Sequence, residues 1–101
     1  QAVKMMLADM EVQLQTAKHY VFYAATLSDK NLPRHKESMI AKLYASECAN
    51  SICDTASRVF ASYGYATEYP LQRYLRDARF TLIGGGTSEI LGINIGKELG
   101  L

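Results

Sequence analysis

Apolar residues recur near the start of the chain at Val3, Leu7, Met10, Leu14, Ala17, Val21 and Ala24, in alternating steps of four and three. That spacing places them on one narrow seam of a helix suited to packing in a left-handed bundle. The seam is expected to face a core, with Leu14 buried in it. Met6, Val12, Tyr20, Phe22 and Tyr23 widen or oppose the seam, so the helix is expected to touch neighbours on more than one side. Ser28 to Pro33 interrupts the pattern with Asp29, Asn31 and Pro33 as loop formers. Such a short loop sends the next helix back antiparallel.

A second helix is expected from Arg34–Glu37 to about Ser62, carrying Ala45, Ala49, Ile52, Ala56, Val59 and Tyr63 on one row and Met39, Leu43, Cys53 and Phe60 beside it. Ala45, Ala49 and Ala56 either allow a partner helix to approach closely or serve as plain helix formers, and both readings stand. Tyr63 to Pro70 reads as a turn, because the residue before Pro70 is pushed away from the α region. A shorter helix from Leu71 to about Ile83 carries Leu71, Tyr74, Leu75, Ala78 and Leu82, with Arg73 and Asp77 spaced for an i,i+4 pair. The last helix, Ser88 to Leu99, brings Ile90, Leu91, Ile93, Ile95 and Leu99. Four helices on short connections predict an all-α, up-down helical bundle without repeats, linkers or low-complexity segments.

Composition narrows the function classes. A chain of 101 residues with 49% hydrophobic content makes one small domain at most. Eleven basic against ten acidic residues leave a charge of +1, which gives no electrostatic case for nucleic acid or an anionic membrane. Arg73, Arg76 and Arg79 cluster, but Glu68 and Asp77 are interleaved with them. No apolar run reaches the roughly 20 residues that span a bilayer, and the first residues lack a signal-peptide pattern. The helical pattern is already under way at the start, so a piece of a longer chain is expected. Cys48 and Cys53, five apart on one helix, sit roughly 140° apart around its axis and are not expected to bond. Unpaired thiols suit a reducing compartment, and small apolar fillers are the expected role. His19 and His35 have no ligand-spaced partner, so no metal is expected.

The stretch Tyr63–Leu91 is more particular. Gly84, Gly85 and Gly86 remove every side chain from a turn, and Thr87, Ser88 and Glu89 then supply an N-cap and a first-turn carboxylate. Free N–H groups there suit a phosphate or a developing oxyanion. From glycine count alone, a glycine-rich link between two helices reads equally well. No Lys follows the glycines, so a Walker-type loop is not matched.

Tyr63-Gly64-Tyr65, Glu68-Tyr69-Pro70, Arg76-Asp77-Ala78-Arg79 and Gly86-Thr87-Ser88-Glu89-Ile90, in this order and spacing, closely resemble the C-terminal end of the acyl-CoA dehydrogenase family. Gln1-Ala2-Val3, Leu7-Ala8-Asp9-Met10, Ala41-Lys42-Leu43 and Ala45-Ser46-Glu47 fit the same family, so the resemblance covers nearly the whole chain. It implies a FAD enzyme with a helical N-terminal domain, a central β domain and a C-terminal helical bundle. Residues 1–101 would form part of that bundle, without its first helix.

The implied reaction is oxidation of the Cα–Cβ bond of an acyl-CoA thioester to the 2-enoyl-CoA, with electrons passing to an electron-transfer flavoprotein. The backbone N–H of Gly85 matches a donor to the thioester oxygen, and Gly86 matches a position beside that group. Thr87 and Glu89 match flavin-contacting residues. Arg58 through Ser62 aligns with a segment that usually reads Gln, two apolar residues, then a glycine pair against the partner subunit's FAD. Here Arg58, Ala61 and Ser62 replace the Gln and both glycines. Gly85 also occupies the position where many members carry the glutamate base, so no catalytic residue is expected within this chain. Another branch, resembling isovaleryl- and long-chain acyl-CoA dehydrogenases, places that glutamate on an earlier helix. The chain alone is therefore expected to be helical, inactive and prone to associate. The whole protein is expected to be a homo-oligomer in the cytoplasm, or in the mitochondrial matrix of a eukaryote. A related flavoprotein with oxidase, monooxygenase or nucleic-acid-binding activity, and a plain helical interaction module, are the alternative readings.

Overall fold

A computed structural model describes all residues from Gln1 to Leu101. Four α-helices form: α1 over Ala2–Asp29, α2 over His35–Phe60, α3 over Leu71–Phe80 and α4 over Ser88–Glu98. A single 3₁₀ turn, Ala61–Gly64, follows α2, and there is no strand. The all-α expectation holds, but the helices are not equal partners. Helix α2 packs against α1, the 3₁₀ turn, α3 and α4, whereas α1 packs against α2 alone and α3 does not pack against α4.

The α1–α2 pair is an antiparallel hairpin. Met5, Asp9 and Val12 near the start of α1 lie beside Asp54 and Arg58 near the end of α2. Further along, Leu14, Ala17 and Val21 face Ala45, Cys48, Ala49 and Ile52. Ala17, Ala24, Ala41 and Cys48 are buried, and side chains this small bring the two helices close together. The loop turns at Asn31, whose φ of 55° suits the short polar side chain that visits the left-handed region most readily. Helix α4 also runs antiparallel to α2, since Ser88 at its start bonds Glu47 and Glu98 at its end lies 3.8 Å from His35.

Several sequence expectations need correction. The α1 seam does not sit in a core: Val3, Leu7 and Leu14 are 50%, 53% and 46% exposed, and Ala17 and Ala24 are its buried members. With α2 as the one neighbour of α1, nothing covers the seam's outer half. Helix α3 ends at Phe80 rather than Ile83, because Leu82, Ile83 and Gly84 bond back three or four residues in successive turns. The Arg73–Asp77 pair does not form; Arg73 instead lies over the ring of Tyr74, 5.4 Å from its centroid. Cys48 and Cys53 remain free, as their spacing requires, and burial pushes the Cys53 thiol up.

Helix α2 stops two residues before the expected Ser62 for a local reason. Ala61 adopts φ 54° and ψ −130°, a conformation that a Cβ opposes and that glycine takes freely. Buried Gly64 then closes against Ser57, where a Cβ would come within 2.5 Å of the Ser57 carbonyl oxygen.

Two stability changes follow. Ala61→Gly should stabilise the chain by about 1 kcal/mol, because relief of roughly 1–3 kcal/mol of strain outweighs glycine's entropic cost. A higher denaturation midpoint in urea at unchanged slope checks this, and a lower midpoint contradicts it. Leu14→Ala should cost about 1 kcal/mol, below the range of about 2–5 kcal/mol for a buried leucine, since nearly half of the side chain is in water.

Candidate functional site

The glycine turn is built by three different constraints. Gly84 lies under Phe80, where a Cβ would stand 2.5 Å from the ring. Gly85 and Gly86 have φ of 72° and 102°, so their need for glycine lies in the backbone and not in crowding. A Cβ at Gly85 would meet nothing nearer than Cε of Lys42, at 3.8 Å. Thr87 then caps α4, its Oγ1 accepting from the Ile90 N–H at 3.2 Å, with Glu89 in the first turn.

The backbone N–H groups of Gly85, Gly86, Thr87, Ser88 and Glu89 donate to no acceptor in the chain. A capped helix leaves its first N–H groups free in any case; the turn adds two more immediately before them. The result is a continuous set of donors at the positive end of the α4 dipole, suited to an anionic or strongly polarised oxygen.

Helix α2 holds this turn through two members of a polar row to which sequence reasoning gave no role. Lys42, Ser46 and Asn50 are spaced four apart, on one face of the helix. The Lys42 ammonium donates to the Thr81 carbonyl at 2.6 Å and the Gly86 carbonyl at 2.7 Å. Asn50 Nδ2 donates to the Ala78 carbonyl at 2.7 Å and to Ser46 O at 2.8 Å, and lies 3.3 Å from Thr81 Oγ1. Thr81 Oγ1 itself donates to the Ala78 carbonyl at 2.6 Å. On the far side of the turn, Ser88 Oγ donates to Glu47 Oε1 at 2.8 Å. The signal was in the sequence as polar residues at i, i+4 and i+8, on one face of the helix.

The family of acyl-CoA dehydrogenase C-terminal domains matches residues 1–100. The chain belongs to the acyl-CoA dehydrogenase family. Benzylmalonyl-CoA dehydrogenase of Aromatoleum aromaticum is 61% identical over 99 residues, which are 98% of this chain and 26% of that protein. The CarC subunit of the caffeyl-CoA reductase–Etf complex of Acetobacterium woodii is 43% identical over 90 residues, 89% of this chain and 24% of that one. Among solved structures, butyryl-CoA dehydrogenase from Megasphaera elsdenii superimposes with a TM-score of 0.97 at 36% identity, covering 100% of this chain and 26% of that one. The chain thus spans about a quarter of the length of the relatives it matches.

In this acyl-CoA dehydrogenase domain the residues expected at the site form two groups. Gly85, Gly86, Thr87 and Glu89 sit together around the start of α4, opposite Lys42 and Glu47. Arg58, Ala61 and Ser62 lie at the other end of α2, roughly 16 Å or more further along the axis at about 1.5 Å per residue. No single small group touches both sets from one subunit. Arg58 pairs with Asp54 at 3.2 Å and is exposed, beside an open cleft of about 680 Å³ that Met5, Asp9, Val12 and Thr55 also line.

Asn50→Ala should remove the side chain's hold on the Ala78 and Thr81 end of the turn at a cost of about 1–2 kcal/mol. Hydrogen exchange should then quicken from Thr81 to Gly84, while protection persists in the middle of α1 and α2. Equal loosening of all helices would show that Asn50 supports the bundle generally.

Proposed function

We propose that this chain is the C-terminal helical part of a FAD-dependent acyl-CoA dehydrogenase that oxidises the Cα–Cβ bond of an acyl-CoA thioester to the 2-enoyl-CoA. The observation that carries the reading is the run of unpaired N–H groups from Gly85 to Glu89, held at a helix start. Negative charge gathers on the thioester oxygen when the Cα electron pair is released, and preorganised N–H donors lower the energy of that charge. The Gly85 N–H is the donor to that oxygen, and Gly86 keeps side-chain bulk away from the thioester. Thr87 and Glu89 face the flavin, which when bound takes the hydride from Cβ. Free donors at Thr87 and Glu89 fit a polar cofactor edge. Arg58, Ala61 and Ser62 reach toward the partner subunit's flavin, the exposed Arg58 guanidinium suiting its phosphates. The uncovered α1 seam and the 230 Å³ groove lined by Leu14, Val21, Ala45 and Ile52 suit an additional helix preceding Gln1. The enzyme is read as a homo-oligomer of the cytoplasm, or of the mitochondrial matrix in a eukaryote, that passes electrons to an electron-transfer flavoprotein; no helix here is long and apolar enough to cross a membrane.

Gly85 cannot accept a proton, so the base is an upstream carboxylate that fills the space beside it. A second reading is favoured by the relative that is 61% identical and named for benzylmalonyl-CoA. A malonyl thioester carries a carboxylate on Cα. Its loss as CO₂ leaves on Cα the electron pair that proton removal would leave, so hydride departure from Cβ needs no base. A carboxylate at position 85 would also repel such a substrate.

Anaerobic bleaching of the flavin in the full-length protein tests the function, with 3-phenylpropanoyl-CoA and benzylmalonyl-CoA as the two probes. Bleaching by the first, abolished by removing the upstream carboxylate, supports the first reading. Bleaching by the second with release of one CO₂ per flavin supports the other. Failure of every acyl-CoA to bleach the flavin rejects the proposed function. Gly85→Glu should hinder turnover in the first case, and should recover part of it when combined with loss of the upstream carboxylate.

A further inference from the structure

We propose that Lys42 is a positioning residue for the oxyanion site. Its ammonium sets the geometry of the Gly85–Gly86 turn and also lends that turn its positive charge. The inference rests on the reading that the thioester oxygen is held by the Gly85 N–H.

Past Gly84 the turn has little of its own to define it. Two successive residues are glycines at positive φ, and glycine resists no particular conformation. Lys42 supplies the missing constraint, because one nitrogen accepts no compromise between two oxygens. Donating at 2.6 Å to Thr81 O and 2.7 Å to Gly86 O, it keeps these carbonyls no more than about 5 Å apart. Everything between them, including the Gly85 N–H, must fit that closure. The Gly86 carbonyl matters further because the peptide is planar and trans: its oxygen points to Lys42, so the Thr87 N–H points the opposite way, away from α2. The clasp thereby turns the Gly86 carbonyl inward and the Thr87 N–H outward, and fixes the ends of the short segment that carries the Gly85 N–H.

The charge is the second component. Lys42 is half-buried and forms no ion pair, the chain's two ion pairs being His35–Glu98 and Arg58–Asp54. Glu47, the carboxylate one turn along α2, is bonded to Ser88 instead. Carbonyl dipoles satisfy two of the ammonium's hydrogens without neutralising it. A net positive charge therefore lies against the turn, on a side chain whose Cε is 3.8 Å from where a Gly85 side chain would begin. Across a partly desolvated turn such a charge favours the enolate over the neutral thioester.

The test uses the full-length flavin-loaded protein and a 3-oxoacyl-CoA such as acetoacetyl-CoA, whose Cα proton is acidic enough for the bound enolate to be titrated by its absorbance. Lys42→Met removes both hydrogen bonds and the charge. It should raise the pH at which the bound probe ionises by about one unit and lower kcat about tenfold, with KM little changed. Lys42→Arg keeps the charge but puts a longer, planar group with fixed donor directions where a single ammonium sat, so it should displace the two carbonyls and lower kcat while leaving the ionisation nearer that of the wild type. A residue that merely supports the fold would change melting temperature and flavin content and leave the ionisation where it was. Wild-type kcat and ionisation in Lys42→Met overturn the proposal. Should Lys42→Met not fold, unaltered kcat in Lys42→Arg overturns it. If the wild-type protein neither ionises the probe nor is reduced by any acyl-CoA, it is the proposed function that fails.

Discussion

An ammonium in the middle of α2 holds both ends of a glycine turn, and the organisation of the C-terminal third follows from it. Lys42 draws Thr81 and Gly86 onto α2, Asn50 secures Ala78, and Glu47 takes Ser88 at the start of α4. Helices α3 and α4 do not pack on each other. They are related in space because both answer to α2, through hydrogen bonds to the backbone between them. A charge-assisted bond contributes roughly 1.5–3 kcal/mol, more than a neutral one, and here two of them close the same turn.

Hydrophobic burial contributes less than the 49% apolar composition implies. Nine of 101 residues are buried, and among them only Met39 and Leu91 are long apolar side chains. A chain this small exposes much of its surface in any case, and an arrangement with one central helix covers one side of each outer helix. Part of the apolar remainder lies along α1, where Leu7, Val12, Leu14 and Phe22 are exposed. Leu14 and Val21 line an open apolar groove with Ala45 and Ile52, and apolar surface of this kind marks a contact site.

Much of this was legible in the chain itself. The alternating steps of four and three located α1 and α2, Pro33 and Asn31 located the turn between them, and Thr87 capped α4 as a residue of its type should. The glycine turn was recognised, and two of its three glycines proved to need positive φ. Periodicity does not say how many neighbours a seam has, so Leu14 was expected inside and lies half outside. Spacing alone made Arg73 and Asp77 a pair, but exposed charges gain little from pairing and Arg73 settled on Tyr74 instead. Lys42 and Asn50 were given no structural role because polar residues on a helix ordinarily face water; they reach backbone carbonyls more than 25 residues away, which no local pattern displays.

The most direct measurement is a crystal structure of the full-length protein with flavin and a non-reacting acyl-CoA bound. The account predicts the thioester oxygen about 3 Å from the Gly85 nitrogen, with Lys42 Nζ within hydrogen-bonding distance of both the Thr81 and Gly86 carbonyls. A Lys42 side chain turned to a carboxylate or to solvent, with the Gly85 N–H still on the thioester oxygen, would contradict it.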